Sequence, residues 1–273
     1  MKENMLFSNF RLEEDIIGGH RYFTKYGHGV GTIDMVQEFL VKYVVGYPSL
    51  ELLFILGLSM PILDEISSRY GFEGLCVEIL GKSSVEVNAA VSFAASSFSQ
   101  PCKRRIIDNL PRRIAHTCKL LQNDCVYKGN NVKCLIDANK ASYSKRDSLY
   151  GGKLELAVYD SCIASKGECP NVQISLENSK WFPADQHRIA VEKYSRELYG
   201  QAGAYFEEWL SYKGVNSVAY NFWDMAEHLF DEVLPERSLD CFVLNSVLAT
   251  ALLASQAFGP RFHFKKIAEQ LSS

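Results

Sequence analysis

The sequence predicts a mostly α protein, a multi-helix layered bundle with one central β-hairpin at about residues 124–136 and one further short strand. Three observations carry this prediction. Apolar residues recur at helical spacing through most of the chain. Residues 50–63 and 238–258 are apolar nearly all round and suit helices buried in a core. The strongest turn signal, Gly129-Asn130, lies near the middle between two short alternating runs.

A chain of 273 residues is one large domain or two small ones. One apolar helix in each half favours a single layered body over 1–273, with sub-lobes 1–122 and 146–273 joined by the hairpin region 123–145. Hydrophobic residues make up 47% and charged residues 22%, and 16 Phe with 14 Tyr supply bulk for a large core. A formal net charge of −3 gives no whole-molecule field that would select nucleic acid or membrane. The start, MKENMLFSNFRLEED, meets Glu13, Glu14 and Asp15 before an apolar signal region can form. A cytoplasmic protein with reduced cysteines is expected.

Residues 8–26 read as a first helix, ending in the run Gly27-His28-Gly29-Val30-Gly31. A second helix spans about Thr32 to Val45, with Met35, Phe39, Leu40 and Tyr43 on one side. Pro48 and Ser49 open the central apolar helix. Its uncharged run Leu52–Leu63 is twelve residues long, short of the about 20 a membrane span needs. Pro61 should kink it. Ser83-Ser84-Val85-Glu86 fits a capping box opening a helix over 84–98. Residues 102–122 form an amphipathic helix with Ile106, Ile107, Leu110, Ile114, Cys118 and Leu121 on one arc and a mainly basic opposite face.

In the hairpin, a two-residue loop would pair Tyr127 with Val132 and set Cys125 opposite Cys134, close enough to oxidise in a permissive compartment. Residues 139–152 read as a loop. The segment 153–166 fits either period, and Gly167 as a C-cap favours helix. Val172, Ile174 and Leu176 alternate as a short strand. Asp185 can cap a long helix reaching Tyr212, with a stripe of Ala190, Tyr194, Leu198, Ala202, Tyr205 and Trp209. Another helix covers 217–234, with Phe222, Met225, Ala226, Leu229 and Val233 inward. The tail after Gly259-Pro260 ends in one short helix.

No chemistry is written plainly in these elements. Gly27 to Thr32 leads into a helix whose N–H groups could hold an anion, but it lacks Walker spacing, and a connection between helices is the simpler reading. No Glu is followed by His three residues later, as a di-iron bundle would need. His116, Cys118, Cys125 and Cys134 include no Cys-x-x-Cys knuckle, and 116 and 118 point in different directions on a helix. No Gly-x-Ser-x-Gly elbow occurs. We therefore expect no catalytic residue, no metal and no cofactor.

Two surface sets remain. Glu207, Glu208, Asp224, Glu227, His228 and Asp231 form acidic helical faces that could meet a basic protein partner. Arg104, Arg105, Arg112, Arg113 and Lys119 could bind nucleic-acid phosphates, although no aromatic interleaves them for base stacking. Either face could equally be solvated or paired within the fold.

The segment Tyr43 to Ile66, YVVGYPSLELLFILGLSMPILDEI, carries a Tyr-x-x-Gly turn followed by Leu-Glu-x-Leu at the head of an apolar helix. In this it resembles helical immunity proteins that neutralise bacterial polymorphic toxins. The aromatic stretch Trp209 to Trp223 is in keeping with their second half. The resemblance implies a non-catalytic bacterial protein whose exposed face binds a cognate toxin and blocks its active site. Nucleic-acid binding, and a helical enzyme with a metal or small-molecule pocket, are the alternatives.

Overall fold

The structure is a computed structural model, and it describes residues 23–24, 27–28, 31–63, 65, 74–98, 125–128, 132–144, 149–158, 172–213, 221–228 and 242–271. Helix predominates among them, as the periodicity predicts. A five-stranded sheet accompanies the helices and is larger than the expected hairpin plus one strand.

Strands β1 (Phe23–Thr24) and β2 (Gly27–His28) form a small antiparallel pair. The first predicted helix therefore does not extend through 23–24; the rest of it lies outside the described residues. Gly31 takes φ +85, Thr32 caps the next helix with its hydroxyl on the Met35 N–H, and α1 runs Ile33–Phe39. The helix then widens to a π-helix over Leu40–Val44, closed by Val45 N–H on Leu40 O at 2.9 Å. Gly46 turns the chain at φ +95, and α2 spans Pro48–Leu58 with proline in its first turn. The turn at Ser59, just before Pro61, interrupts the helical run. Pro61 has no N–H to bond back along the helix, and the helical bonding resumes with Leu63 N–H on Ser59 O at 2.9 Å.

Every residue from Leu50 to Leu63 is buried. Helix α2 packs on α3 (Ser84–Ala95), α5 (Gln201–Lys213), α7 (Phe242–Phe258) and α8 (Phe264–Leu271). The crossing with α3 is close enough to require glycine: a Cβ on Gly57 would lie 2.0 Å from the Ala94 carbonyl oxygen. Helix α3 also lies on the sheet, so α3 is the layer between the strands and α2.

The sheet order is β4 (Cys125–Lys128), β5 (Val132–Ser144), β6 (Leu149–Val158), β3 (Gly74–Gly81), β7 (Val172–Glu177). Strand β3 pairs antiparallel with β6 and parallel with β7. The hairpin and the strand at 172–177 are where the alternation places them. Three expectations change. The loop 139–152 is mostly strand, and 153–158 is the second half of β6 rather than helix. Here the period-2 pattern of Leu154, Leu156 and Val158 prevails because β6 has ladder partners on both sides, β5 and β3. The hairpin register also differs: Cys125 stands opposite Leu135 and Tyr127 opposite Cys134, with an irregularity between them. The backbone thus does not set Cys125 across from Cys134.

The predicted helix 185–212 is two helices, α4 (Asp185–Glu197) and α5. Gly200 breaks it at φ +78, and its N–H is bonded to Ser96 O at 2.8 Å. Ala184, not Asp185, is the N-cap. Helix α6 (221–228) buries Trp223 and Ala226, whereas Met225, expected inside, is exposed. Helix 102–122 lies outside the described residues.

Candidate functional site

In open sheets with parallel strands, ligands bind where those strands end at their carboxyl side. Here that place is the end of β3 and β7, and the turn after β3 leads into α3. Only Lys82 and Ser83 separate Gly81 from the helix. Ser83 caps α3 by accepting the Glu86 N–H at 3.4 Å, so the predicted capping box is half formed. Its other half is redirected. Glu86 does not reach back to the cap; its Oε2 accepts the Trp181 backbone N–H at 3.0 Å. The Trp181 indole Nε1–H donates to Leu80 O at 2.9 Å, and the same carbonyl accepts the Asn178 N–H at 3.1 Å. Trp181 is buried, and a Cβ on Gly81 would stand 3.1 Å from its Nε1.

The strand–turn–helix unit thus has the topology of a phosphate-binding loop without its cradle. A nucleotide loop needs Gly-x-x-x-x-Gly-Lys-Ser/Thr, with the intervening N–H groups free to wrap a phosphate. Read forward from Gly81, the later positions hold Glu86, Val87 and Asn88. Read back from Gly81-Lys82-Ser83, the first position holds Cys76, and residues 76–81 are paired in the sheet ladder with β6. In either register the loop is absent, and a carboxylate sits in the first turn of α3, where a phosphate would be met.

A second polar hub ties the chain together at the head of α2. Glu51 is fully buried and accepts Gly46 N–H at 2.8 Å and His263 N–H at 2.7 Å, and its Oε1 lies 2.8 Å from His263 Nδ1. The Tyr-x-x-Gly and Leu-Glu pattern at 43–53 therefore serves a left-handed turn at Gly46 and a carboxylate that clamps it.

Among the described residues a cavity of about 500 Å³ lies between α1 with its π-helix and α4. Phe39 and Tyr194 stack in its wall with centroids 4.2 Å apart. The Tyr194 hydroxyl has no hydrogen-bond partner, and burial pushes its pKa above the ordinary tyrosine range.

Of the residues singled out in the sequence, Glu207 is half-buried and Glu208 exposed on α5, and Asp224, Glu227 and His228 are exposed on α6. Burial, with Glu208 adding to it, raises the pKa of Tyr205, whose hydroxyl donates to Ala257 O at 2.8 Å. Asp231, the basic residues 103–119 and His116 and Cys118 lie outside the described residues. Among the described residues no cluster of potential metal ligands occurs, and no helix is long and apolar enough to cross a membrane. The sequence reading missed Trp181, and it placed Glu86 at the cap of α3 without its bond to Trp181. One glycine at a strand end was the only signal, and it could not reveal which distant side chain covers it.

No protein-family model and no curated protein matches this chain. The structure is similar to a solved one described as "SCCmec type IV Cch - active helicase", with a TM-score of 0.57 and 15% identity. The match covers 88% of this chain and 50% of that one, so this chain spans about half of that protein's length. At this identity the likeness is one of fold.

Proposed function

We propose that this chain is a non-catalytic binding module, built on a strand–turn–helix framework whose phosphate seat is filled by its own side chains. The supporting observation is the two-residue turn after β3, closed by the Glu86 carboxylate on Trp181 N–H. Partner contact is assigned to the acidic helical surfaces, Glu207 and Glu208 on α5 and Asp224, Glu227 and His228 on α6, which suit a basic protein. Blocking of a bacterial toxin by an immunity protein, as the resemblance at 43–66 implies, is the specific form of this proposal.

The test uses pure protein. Titration with ATP and Mg²⁺ should give no binding heat and no phosphate release. Phosphate release abolished by Lys82→Ala would overturn the proposal. For the partner surface, proteins retained by the wild type and lost by Asp224→Lys/Glu227→Lys at unchanged melting temperature are expected. Identical retention removes those residues from the interface.

A second reading, nucleic-acid binding, is favoured by the description of the solved neighbour as a helicase. It would use Arg104, Arg105, Arg112, Arg113 and Lys119. It requires affinity for a single-stranded oligonucleotide that falls steeply with salt.

A further inference from the structure

The cavity between α1 and α4 is independent of that reading and of the closed turn. Its volume, about 500 Å³, falls in the range of small-molecule sites. Its wall is mostly aromatic and aliphatic: Phe39 and Tyr43 from one side, Ile189 and Tyr194 from the other. Two cations, Lys42 and Lys193, stand among the lining residues with Glu38 as the single acid. Both are exposed, with Lys42 Nζ 5.2 Å from the Tyr43 ring centroid and Lys193 Nζ 3.9 Å from Glu197.

Two further features point to a ligand. The π-helix Leu40–Val44 puts Lys42 and Tyr43 into the lining, and single π-turns inside helices recur at functional sites because they cost regular hydrogen bonding. The second is the wall itself, where Tyr194 and Phe39 stack with centroids 4.2 Å apart and so hold a fixed aromatic surface beside the cavity. Ile189 is 55% exposed beside it, in a position where a solvated helix face would ordinarily carry a polar residue.

From these features we infer that the groove binds a flat amphipathic organic anion, an aromatic carboxylate or sulfonate. Its ring would lie against the Phe39, Tyr43 and Tyr194 group and its acid would face Lys42 and Lys193. The rings supply apolar and quadrupole contact. The lysines supply the charge preference that a purely greasy pocket lacks.

The probe is 8-anilinonaphthalene-1-sulfonate, with neutral N-phenyl-1-naphthylamine as its uncharged counterpart, titrated into the folded chain by fluorescence. Saturable binding of one sulfonate per chain is expected. Ala190→Trp, which fills the cavity, and Ile189→Glu, at an exposed position that leaves the fold intact, should each weaken it about tenfold, a loss of about 1.4 kcal/mol. Lys42→Ala/Lys193→Ala should weaken the sulfonate but leave the neutral probe within about twofold. No saturable binding, or binding unaffected by Ile189→Glu, overturns the site. Equal loss of both probes in the lysine variant overturns the anion assignment.

Discussion

Glu51 and Tyr194 both bury a polar group in the same core, and their surroundings differ completely. The Glu51 carboxylate takes two backbone N–H groups and the His263 ring within 2.8 Å. The Tyr194 hydroxyl takes nothing. A satisfied buried charge holds chain segments together, and removing either side of it leaves an expensive orphan. An unsatisfied buried hydroxyl holds nothing, so it persists for a reason other than stability or at a small standing cost. The first group therefore marks a structural clamp, and the second does not, although its ring lines a cavity.

The largest effect expected from this contrast is at Glu51. Glu51→Ala strands the Gly46 and His263 donors and should lower unfolding free energy by about 3–5 kcal/mol, read by urea titration. Glu51→Gln keeps one acceptor and should lose less. If Glu51→Ala costs no more than a surface substitution, the clamp reading fails. Next comes Gly57, also in α2. Alanine there would put a Cβ 2.0 Å from the Ala94 backbone oxygen. That contact is with backbone, which cannot swing away, so α2 and α3 must separate. A cost at or above the about 1–3 kcal/mol of ordinary overpacking is expected by the same titration.

What the sequence revealed follows the same division. The buried helix at 50–63 was legible because twelve uncharged residues admit few other interpretations. The head of α3 was legible because a capping serine acts on its own neighbours. Strand β3 carried Leu75, Val77 and Ile79 in alternation but sits within a short apolar run of either period. Strand β6 was misjudged because Gly167 suggested a helix end, while the deciding partners, β3 and β5, are set by tertiary pairing. The break at Gly200 similarly depends on Ser96, distant in sequence. Trp181 over Gly81, the orphan hydroxyl and the cavity arise only from packing, so no local pattern could announce them. The acidic candidates were legible as helical residues, and Glu208, Asp224 and Glu227 are exposed, but no local pattern decides whether they act.

Tyr194 gives an intermediate effect with a pH signature. Burial raises its pKa above that of the unfolded chain, so the folded state prefers the neutral phenol. Its contribution is fully present below the ordinary tyrosine value of about 10 and is lost as pH rises beyond it, at about 1.4 kcal/mol per pH unit. Tyr194→Phe should be neutral or slightly stabilising at pH 7, since it removes a hydroxyl without a partner. It should also flatten the alkaline fall in melting temperature relative to wild type. A clear loss of stability at pH 7 in Tyr194→Phe would mean that the hydroxyl does hold something, and the contrast with Glu51 would collapse.

The smallest effect tests the rim of the cavity. Lys193 is half exposed and its distance to Glu197 is 3.9 Å, a long and solvent-screened pair. Lys193→Ala should shift unfolding free energy by less than about 0.5 kcal/mol, within the range of exposed helix pairs. The same substitution should weaken the anionic probe, so one residue separates stability from binding. A residue that served the fold would show the reverse, a lowered melting temperature with probe affinity intact. That outcome would make the rim lysine a helix-surface stabiliser and leave Tyr194 as a packing defect. A stable variant with impaired sulfonate binding instead assigns Lys193 to the groove's charge preference rather than to the fold.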